Sequence, residues 1–100
     1  KDTLRAAFIL DRARELVDSV FRRFREEGFS SFRTVVITVR FHDFETLTRS
    51  RTSPKPLATR EELEGEMLRL LLPFLDRRGN PKSKPIRLIG VRVEKLVRAG

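Results

Sequence analysis

The chain alternates most regularly in the stretch TVVITVRF, residues 34–41. Apolar side chains occupy its odd-numbered positions, and mostly polar side chains occupy the even-numbered ones. A period of two predicts a β-strand with one buried face and one largely polar face. We place this strand at 32–41 and expect a short hairpin turn at His42-Asp43, over which Phe44 closes the core.

Alternation resumes after the turn, over residues 45–52. One face of this second strand carries only small hydroxyl side chains, and the other carries Leu47 and two arginines. Beside Thr34, Thr38 and Arg40 of the first strand, the hydroxyls would form a low polar surface that a phosphate backbone can approach closely. Threonine is also common on ordinary solvent-facing strands, so both interpretations stay open. The hydroxyl face is Thr46, Thr48, Ser50 and Thr52, and the inward arginines are Arg49 and Arg51.

Two stretches with helical spacing accompany the hairpin. In residues 1–28 apolar side chains recur every three or four positions, and we expect a cap at Asp2 or Thr3 and an end at Gly28. Residues 53–56 (Ser-Pro-Lys-Pro) are expected to form a connecting loop, since proline has no N–H for a central strand or a helix.

The second helix is predicted to begin with a capping box at residues 59–62 and to bend or end near Pro73. A third strand follows at residues 86–96. Its apolar side chains change from even to odd positions around Gly90, so we expect a β-bulge at 89–90. Ile86 and Leu88 would then face inward, and Arg87 and Arg92 outward.

The order helix, strand, strand, helix, strand predicts a two-layer α+β sandwich. An antiparallel-rich sheet would carry both helices on one face, and the last strand would pair with a strand of the hairpin. A further strand before the first helix would complete a βαββαβ pattern, and Lys1-Asp2-Thr3 would be its end. We expect one domain over residues 1–100.

Composition excludes several kinds of function. The chain has 22 Lys and Arg against 14 Asp and Glu, a net charge of +8, no Cys and one His. Thiol nucleophiles, disulfides and thiolate metal sites therefore cannot form, and a zinc site or catalytic triad built on His42 lacks partners. Asp43 and Glu45 are expected to form the turn rather than a catalytic pair. We expect no active site in this chain.

The excess positive charge lies in the strand-rich parts. Residues 29–58 and 80–100 carry +3 and +5, whereas residues 1–28 and 59–79 carry +1 and −1. Such a distribution predicts that one sheet face and its loops meet a polyanion, with general surface basicity as the alternative. No apolar run reaches the ~20 residues of a membrane span, and no signal-peptide pattern opens the chain, so we expect a cytoplasmic protein.

Two segments resemble the little finger domain of Y-family DNA polymerases, particularly the polymerase IV branch. Residues 34–52 are similar to the hairpin of that domain, and the run PIRLIGVRV at 85–93, followed by Lys95-Leu96, is similar to its last strand. The resemblance implies a βαββαβ domain on the C-terminal side of a translesion polymerase, its sheet against the DNA. The first strand of the family is largely missing, so the chain would be a fragment trimmed at its start, with an exposed sheet edge.

The resemblance also implies partners. They are duplex primer–template DNA, the palm, fingers and thumb domains of the parent polymerase, and the sliding clamp, at the prokaryotic nucleoid. The catalytic carboxylates and their Mg²⁺ would belong to the palm domain, so no cofactor is expected here. It further places Arg49 and Arg51 at the DNA, which requires a twisted strand end to turn them outward. The residues assigned to DNA contact are Thr34, Thr38, Arg40, Thr46, Thr48, Arg49, Ser50, Arg51, Thr52, Arg87, Gly90, Arg92 and Lys95.

Two other functions stay open. An RNA-binding or ribosome-associated α+β domain would stack bases on exposed aromatic side chains of its central strands. Phe41 and Phe44 are expected to face inward, and the chain has no Tyr or Trp, which disfavours that version. A protein-interaction module would use a helix stripe or the free sheet edge as its contact.

Overall fold

The computed structural model describes residues 6–76 and 78–98. It confirms the α+β class and the predicted order of elements. The cap at Asp2 or Thr3 and the strand end at 1–3 lie outside the described residues. The elements are helix α1 (Ala6–Glu26), strands β1 (Phe29–Phe41) and β2 (Thr46–Leu57), helix α2 (Arg60–Leu71) continued by a 3₁₀ turn (Leu72–Leu75), and strands β3 (Ile86–Glu94) and β4 (Val97–Arg98).

Strand β1 is the centre of an antiparallel sheet in the order β2-β1-β3. Strands β2 and β3 pair with its two edges, as predicted for the hairpin and the last strand. The short strand β4, which the sequence pattern does not predict, pairs with Phe29 and Ser31 near the start of β1. Lys95, with a φ of +58°, lies in the break between β3 and β4.

The core lies between the sheet and the two helices. The odd-numbered side chains of β1 from Val35 to Phe41 are all buried, as the alternation predicts. Phe24 of α1 meets Phe32 edge-on, with ring centroids 5.4 Å apart. Full burial of side chains of this size stabilises the fold by about 1.5–3 kcal/mol each. The inner face of the sheet therefore supplies the stability of the domain.

The predicted end of α1 and both predicted ends of α2 are confirmed. Helix α1 ends before Gly28, whose φ of +83° is a left-handed conformation suited to glycine. At the start of α2, the Thr59 hydroxyl accepts a hydrogen bond from the Glu62 amide, and the Glu62 carboxylate accepts one from the Thr59 amide, both at 3.1 Å. Pro73 lies in the 3₁₀ turn that ends the helix. Within the described ranges, no helix is long and apolar enough to cross a membrane.

The segment predicted as a loop at residues 53–56 belongs to β2. The pairing with β1 shifts between Thr52 and Leu57, so the prolines occupy an irregular stretch of an edge strand. An edge strand tolerates proline because half of its amides need no partner in the sheet. Arg33 holds the segment by donating to the carbonyl oxygen of Ser53 at 3.0 Å. The loop prediction was wrong because the local sequence does not distinguish an edge strand from a loop.

The bulge predicted at 89–90 lies two residues earlier. Phe41 pairs with Ile86 and Arg40 pairs with Leu88, which leaves Arg87 as the extra residue. Leu88 consequently points outward and is 54% exposed, whereas Ile89 packs against the core. Leucine and isoleucine are equally apolar, so the pattern of hydrophobicity could not decide which of them faces the core.

The hairpin turn differs from prediction at Phe44. Its side chain is 60% exposed and does not close the core. The Phe44 amide donates to the Phe41 carbonyl oxygen at 2.8 Å, and the Phe41 amide donates to that of Glu45 at 2.9 Å. These bonds define a three-residue loop, and its last residue, Phe44, adopts a left-handed φ of +70°.

Candidate nucleic-acid interface

The face of the sheet opposite the helices, called the outer face below, is built by alternation on three strands. Thr48, Thr38 and Gly90 form its central row, paired across β2, β1 and β3. Because glycine contributes no side chain, this row is low. A Cβ atom at Gly90 would lie 3.8 Å from Thr38 Cβ, so the sheet itself leaves room for a larger residue. The outer face is Thr46, Thr48, Ser50, Thr52, Thr34, Val36, Thr38, Arg40, Leu88, Gly90, Arg92 and Glu94.

One predicted contact residue of the outer face, Thr34, is not accessible to a ligand. Thr34, predicted to contact DNA, is only 5% exposed. Its hydroxyl lies 2.8 Å from that of Thr52, and the two share a hydrogen bond across the strands. Thr34 therefore contributes to the sheet rather than to its surface. Thr46, Thr48, Ser50 and Thr52 are exposed as predicted.

Two arginines flank the central row. Arg40 Nε donates to Thr46 Oγ1 at 3.1 Å, and Arg92 Nε lies 2.9 Å from Glu94 Oε2. Both guanidinium groups are exposed and are held along the surface by residues of the same face. The outer face thus combines a modest positive charge with many hydroxyl groups.

Arg49 and Arg51 do not lie on the outer face. The Arg49 guanidinium lies 5.6 Å from the centroid of the Phe74 ring, and Arg51 Nε lies 2.9 Å from Glu66 Oε1 on α2. Strand β2 pairs with β1 in unbroken register from Thr46 to Thr52, so the alternation keeps both side chains on the helix side. The alternation placed these two side chains correctly, on the helix side, so their predicted contact with DNA would not be made through the outer face.

One oxygen of the Glu66 carboxylate on α2, Oε1, has a charge partner but no hydrogen bond among the described residues. This atom is buried, and among the described residues no donor meets it with hydrogen-bond geometry. Arg51 Nε forms an ion pair with this atom at a distance of 2.9 Å. The pair therefore places a positive charge beside a half-buried carboxylate, one oxygen of which has no hydrogen bond.

The remaining assigned residues lie at the margins. Lys95 is exposed after the end of β3, and Arg87 is exposed at the bulge. The Arg87 guanidinium lies over the ring of Phe44, 4.6 Å from its centroid. Phe44 was missed as a surface residue because its apolar side chain suggests burial. The available signal was its position at the end of a three-residue hairpin loop.

The acidic residues of the turn have structural roles, as predicted. Asp43 Oδ1 accepts a hydrogen bond from the Glu45 amide at 3.1 Å. Lys84 donates to Asp43 Oδ2 at 2.8 Å and also to Glu45. The hydrogen bond from Lys84, followed by that from the Glu45 amide, lowers the pKa of Asp43. In residues 6–76 and 78–98, no three His, Asp or Glu side chains converge in a cluster that could hold a metal ion.

A two-layer α+β domain with a hydroxyl-lined sheet face is thus defined. All 100 residues, 1–100, match the impB/mucB/samB family C-terminal domain. The chain belongs to this family, and its resemblance to the polymerase IV little finger domain is confirmed.

The relatives with similar sequences are named DNA polymerase IV. The chain is 40% identical over 82 residues to DNA polymerase IV of Methanoculleus marisnigri, covering 82% of this chain and 21% of that protein. It is 34% identical over 97 residues to DNA polymerase IV of Alkalilimnicola ehrlichii, covering 97% of this chain and 25% of that protein. The chain therefore spans a quarter or less of the length of these relatives.

Solved structures share the fold. The post-insertion binary complex of Dbh DNA polymerase aligns with a TM-score of 0.65 at 14% identity, covering 97% of this chain and 26% of that one. The complex of the β-clamp processivity factor and the little finger domain of PolIV aligns with a TM-score of 0.53 at 16% identity, covering 91% of this chain and 79% of that one. At these identities the likeness concerns the fold alone.

Proposed function

We propose that this chain binds duplex primer–template DNA through the outer face, as a domain of a translesion DNA polymerase. The observation that carries the proposal is the low central row Thr48–Thr38–Gly90 with Arg40 and Arg92 beside it. A phosphate backbone can approach such a row closely and accept hydrogen bonds from hydroxyl groups, while the two arginines supply charge.

The chemistry of this face suits binding without sequence preference. Its donors are short hydroxyls on a rigid sheet, and its exposed arginines lie along the surface. Reading base edges in the major groove requires side chains that project into it, commonly from a helix or a β-ribbon. Phosphate contacts carry no sequence information directly, so the domain could hold any duplex while a polymerase moves along it.

The activity of the longer protein belongs to the same proposal. Relatives named DNA polymerase IV support a parent DNA polymerase. Its palm domain would hold the catalytic carboxylates and Mg²⁺, and its palm, fingers and thumb would be the intramolecular partners of this domain. A sliding clamp is a further proposed partner, supported by the shared fold of the PolIV little finger domain in complex with the β-clamp processivity factor. The proposed site of action is the cytoplasm.

Two charge-matched double variants test the proposal. Arg40→Gln/Arg92→Gln removes two charges from the outer face, and Arg49→Gln/Arg51→Gln removes two from the helix side. Affinity for blunt duplexes of two unrelated sequences is measured by fluorescence anisotropy across a range of salt concentrations. We expect the outer variant to reduce the slope of log K against log salt by up to about 2, since each phosphate contact contributes about 0.9.

The inner variant should keep the slope of the unmodified chain. Equal reductions in both variants would support general surface basicity instead, because the two proteins have the same net charge. A strong preference for one duplex sequence would contradict phosphate-mediated binding. A single-stranded RNA probe in the same titration tests the alternative of an RNA-binding domain, which predicts tighter binding to RNA than to the duplex.

A further inference from the structure

The end of the hairpin presents an aromatic ring to solvent from a backbone position that suits glycine. Phe44 has a φ of +70° and a side chain 60% exposed. A left-handed conformation is unfavourable for a bulky residue, and the last position of a three-residue hairpin loop normally takes glycine or asparagine. Neither burial nor local conformation therefore accounts for a phenylalanine here. Strained positions of this kind often serve binding.

Arg87 holds the ring from one side. Its guanidinium carbon lies 4.6 Å from the centroid of the Phe44 ring, within the range of a cation–π contact. Arg87 is the extra residue of the β3 bulge, and bulges can redirect a side chain from the alternation of its strand. Among the ion pairs of residues 6–76 and 78–98, none involves Arg87. Its charge is thus available to an anion beside the ring.

The surroundings favour a nucleic acid as the ligand of this ring. The two acids of the turn, Asp43 and Glu45, are both paired with Lys84, so they leave less uncompensated negative charge near Arg87. Thr46 Oγ1 donates to the Phe44 carbonyl oxygen at 3.4 Å and accepts from Arg40 Nε at 3.1 Å. These bonds join the turn directly to the hydroxyl groups and arginine of the outer face.

We propose that Phe44 and Arg87 bind an unpaired DNA base where it leaves a duplex held on the outer face. The inference rests on the proposed function and adds a second ligand class to it. Paired bases inside a duplex are already stacked, whereas an unpaired base offers a free ring. Aromatic side chains stack on any base, and a neighbouring arginine strengthens the contact and can hold the adjoining phosphate.

The test compares one blunt duplex with the same duplex carrying a single-stranded overhang. The unmodified chain should bind the overhang duplex about fivefold or more tightly than the blunt one, as the stacking of one base implies. Phe44→Gly should abolish this difference and leave the affinity for the blunt duplex unchanged. Glycine suits the φ at this position, so the variant is expected to fold, which circular dichroism checks. Phe44→Trp should retain the preference, and so should the control Phe8→Ala, which removes an exposed phenylalanine of α1 outside the outer face.

Each other outcome overturns the inference in a distinguishable way. Equal affinity of the unmodified chain for both probes, or a preference that survives in Phe44→Gly, excludes the stacking site and leaves the proposed function intact. An equal loss on both probes would show that Phe44 contacts the duplex or supports the sheet. If neither probe binds, the proposed function fails, and this inference fails with it. If Phe44→Gly does not fold, Phe44→Asn, which also tolerates the left-handed region, replaces it.

Discussion

Arginines on the two faces of this sheet have different surroundings although they lie on neighbouring strands: Arg49 and Arg51 on β2, Arg40 on β1 and Arg92 on β3. Arg49 and Arg51 face the helices, where Phe74 and Glu66 hold them. Arg40 and Arg92 lie on the outer face and interact with Thr46 and Glu94 of that face. Charge counted along a strand therefore overstates the charge of a binding surface, because alternation sends half of it to the core side. We expect the inner face to supply stability and the outer face to supply binding.

The largest difference in the free energy of unfolding is expected between the loss of a buried ring and the loss of an exposed hydroxyl group. Phe32 is fully buried against Phe24, so Phe32→Ala should lower the free energy of unfolding by about 3–5 kcal/mol. Thr48→Ala, on the exposed side, should change it by no more than about 0.5 kcal/mol. Urea denaturation followed by circular dichroism measures both. Comparable losses in the two variants would contradict the assignment of stability to one face.

A sharper contrast compares one arginine from each face. Arg51→Ala removes the charge partner of the largely buried Glu66 carboxylate, and should lower the free energy of unfolding by about 1–3 kcal/mol. Arg92→Ala should change it by less than about 0.5 kcal/mol, since its pair with Glu94 is exposed. Duplex affinity should show the opposite order, with a larger loss in Arg92→Ala than in Arg51→Ala. An Arg92→Ala protein with unchanged affinity would remove this side chain from the interface.

A methyl group added at Gly90 should affect duplex binding but not folding. A methyl group here would make an ordinary contact with Thr38, so Gly90→Ala should fold with unchanged or slightly higher stability. It should nevertheless weaken duplex binding severalfold, because the added group keeps the phosphate backbone from the central row. Gly65→Ala on α2 is the matched control, since nothing lies within 4 Å of the added atom. Unchanged duplex affinity in Gly90→Ala would place the DNA elsewhere.

The smallest effect concerns acid stability on the helix side. Hydrogen bonds from Arg14 and then Arg60 lower the pKa of Glu64 below its ordinary 4.5. The folded state then binds this proton less readily than the unfolded state, so the contribution is present above pH 4.5 and is lost as the pH falls through the folded-state pKa. Glu64→Gln should therefore flatten the decline of stability below pH 4.5, measured by urea midpoints at several pH values. A decline as steep as that of the unmodified chain would contradict this role.

The parts of the molecule that were predictable depend on local periodicity. The buried face of β1, the hydroxyl face of β2 and the capping box at Thr59 all follow from residue spacing alone. The rest depends on contacts between distant segments. That 53–56 forms an edge strand, that the bulge lies at Arg87, and that Phe44 lies beneath its guanidinium are consequences of the assembled sheet, and single-sequence patterns carry no record of them.

Duplex DNA is proposed to lie on the outer face. The most direct test is a titration of the chain with a blunt duplex, in which NMR records the chemical shifts of the backbone amides. We predict the largest shifts at the central row, Thr38, Thr48 and Gly90, together with Arg92. Amides of α1 and α2 should remain close to their free positions, because the sheet separates them from the ligand. Shifts concentrated on the two helices, with the central row unchanged, would contradict the account.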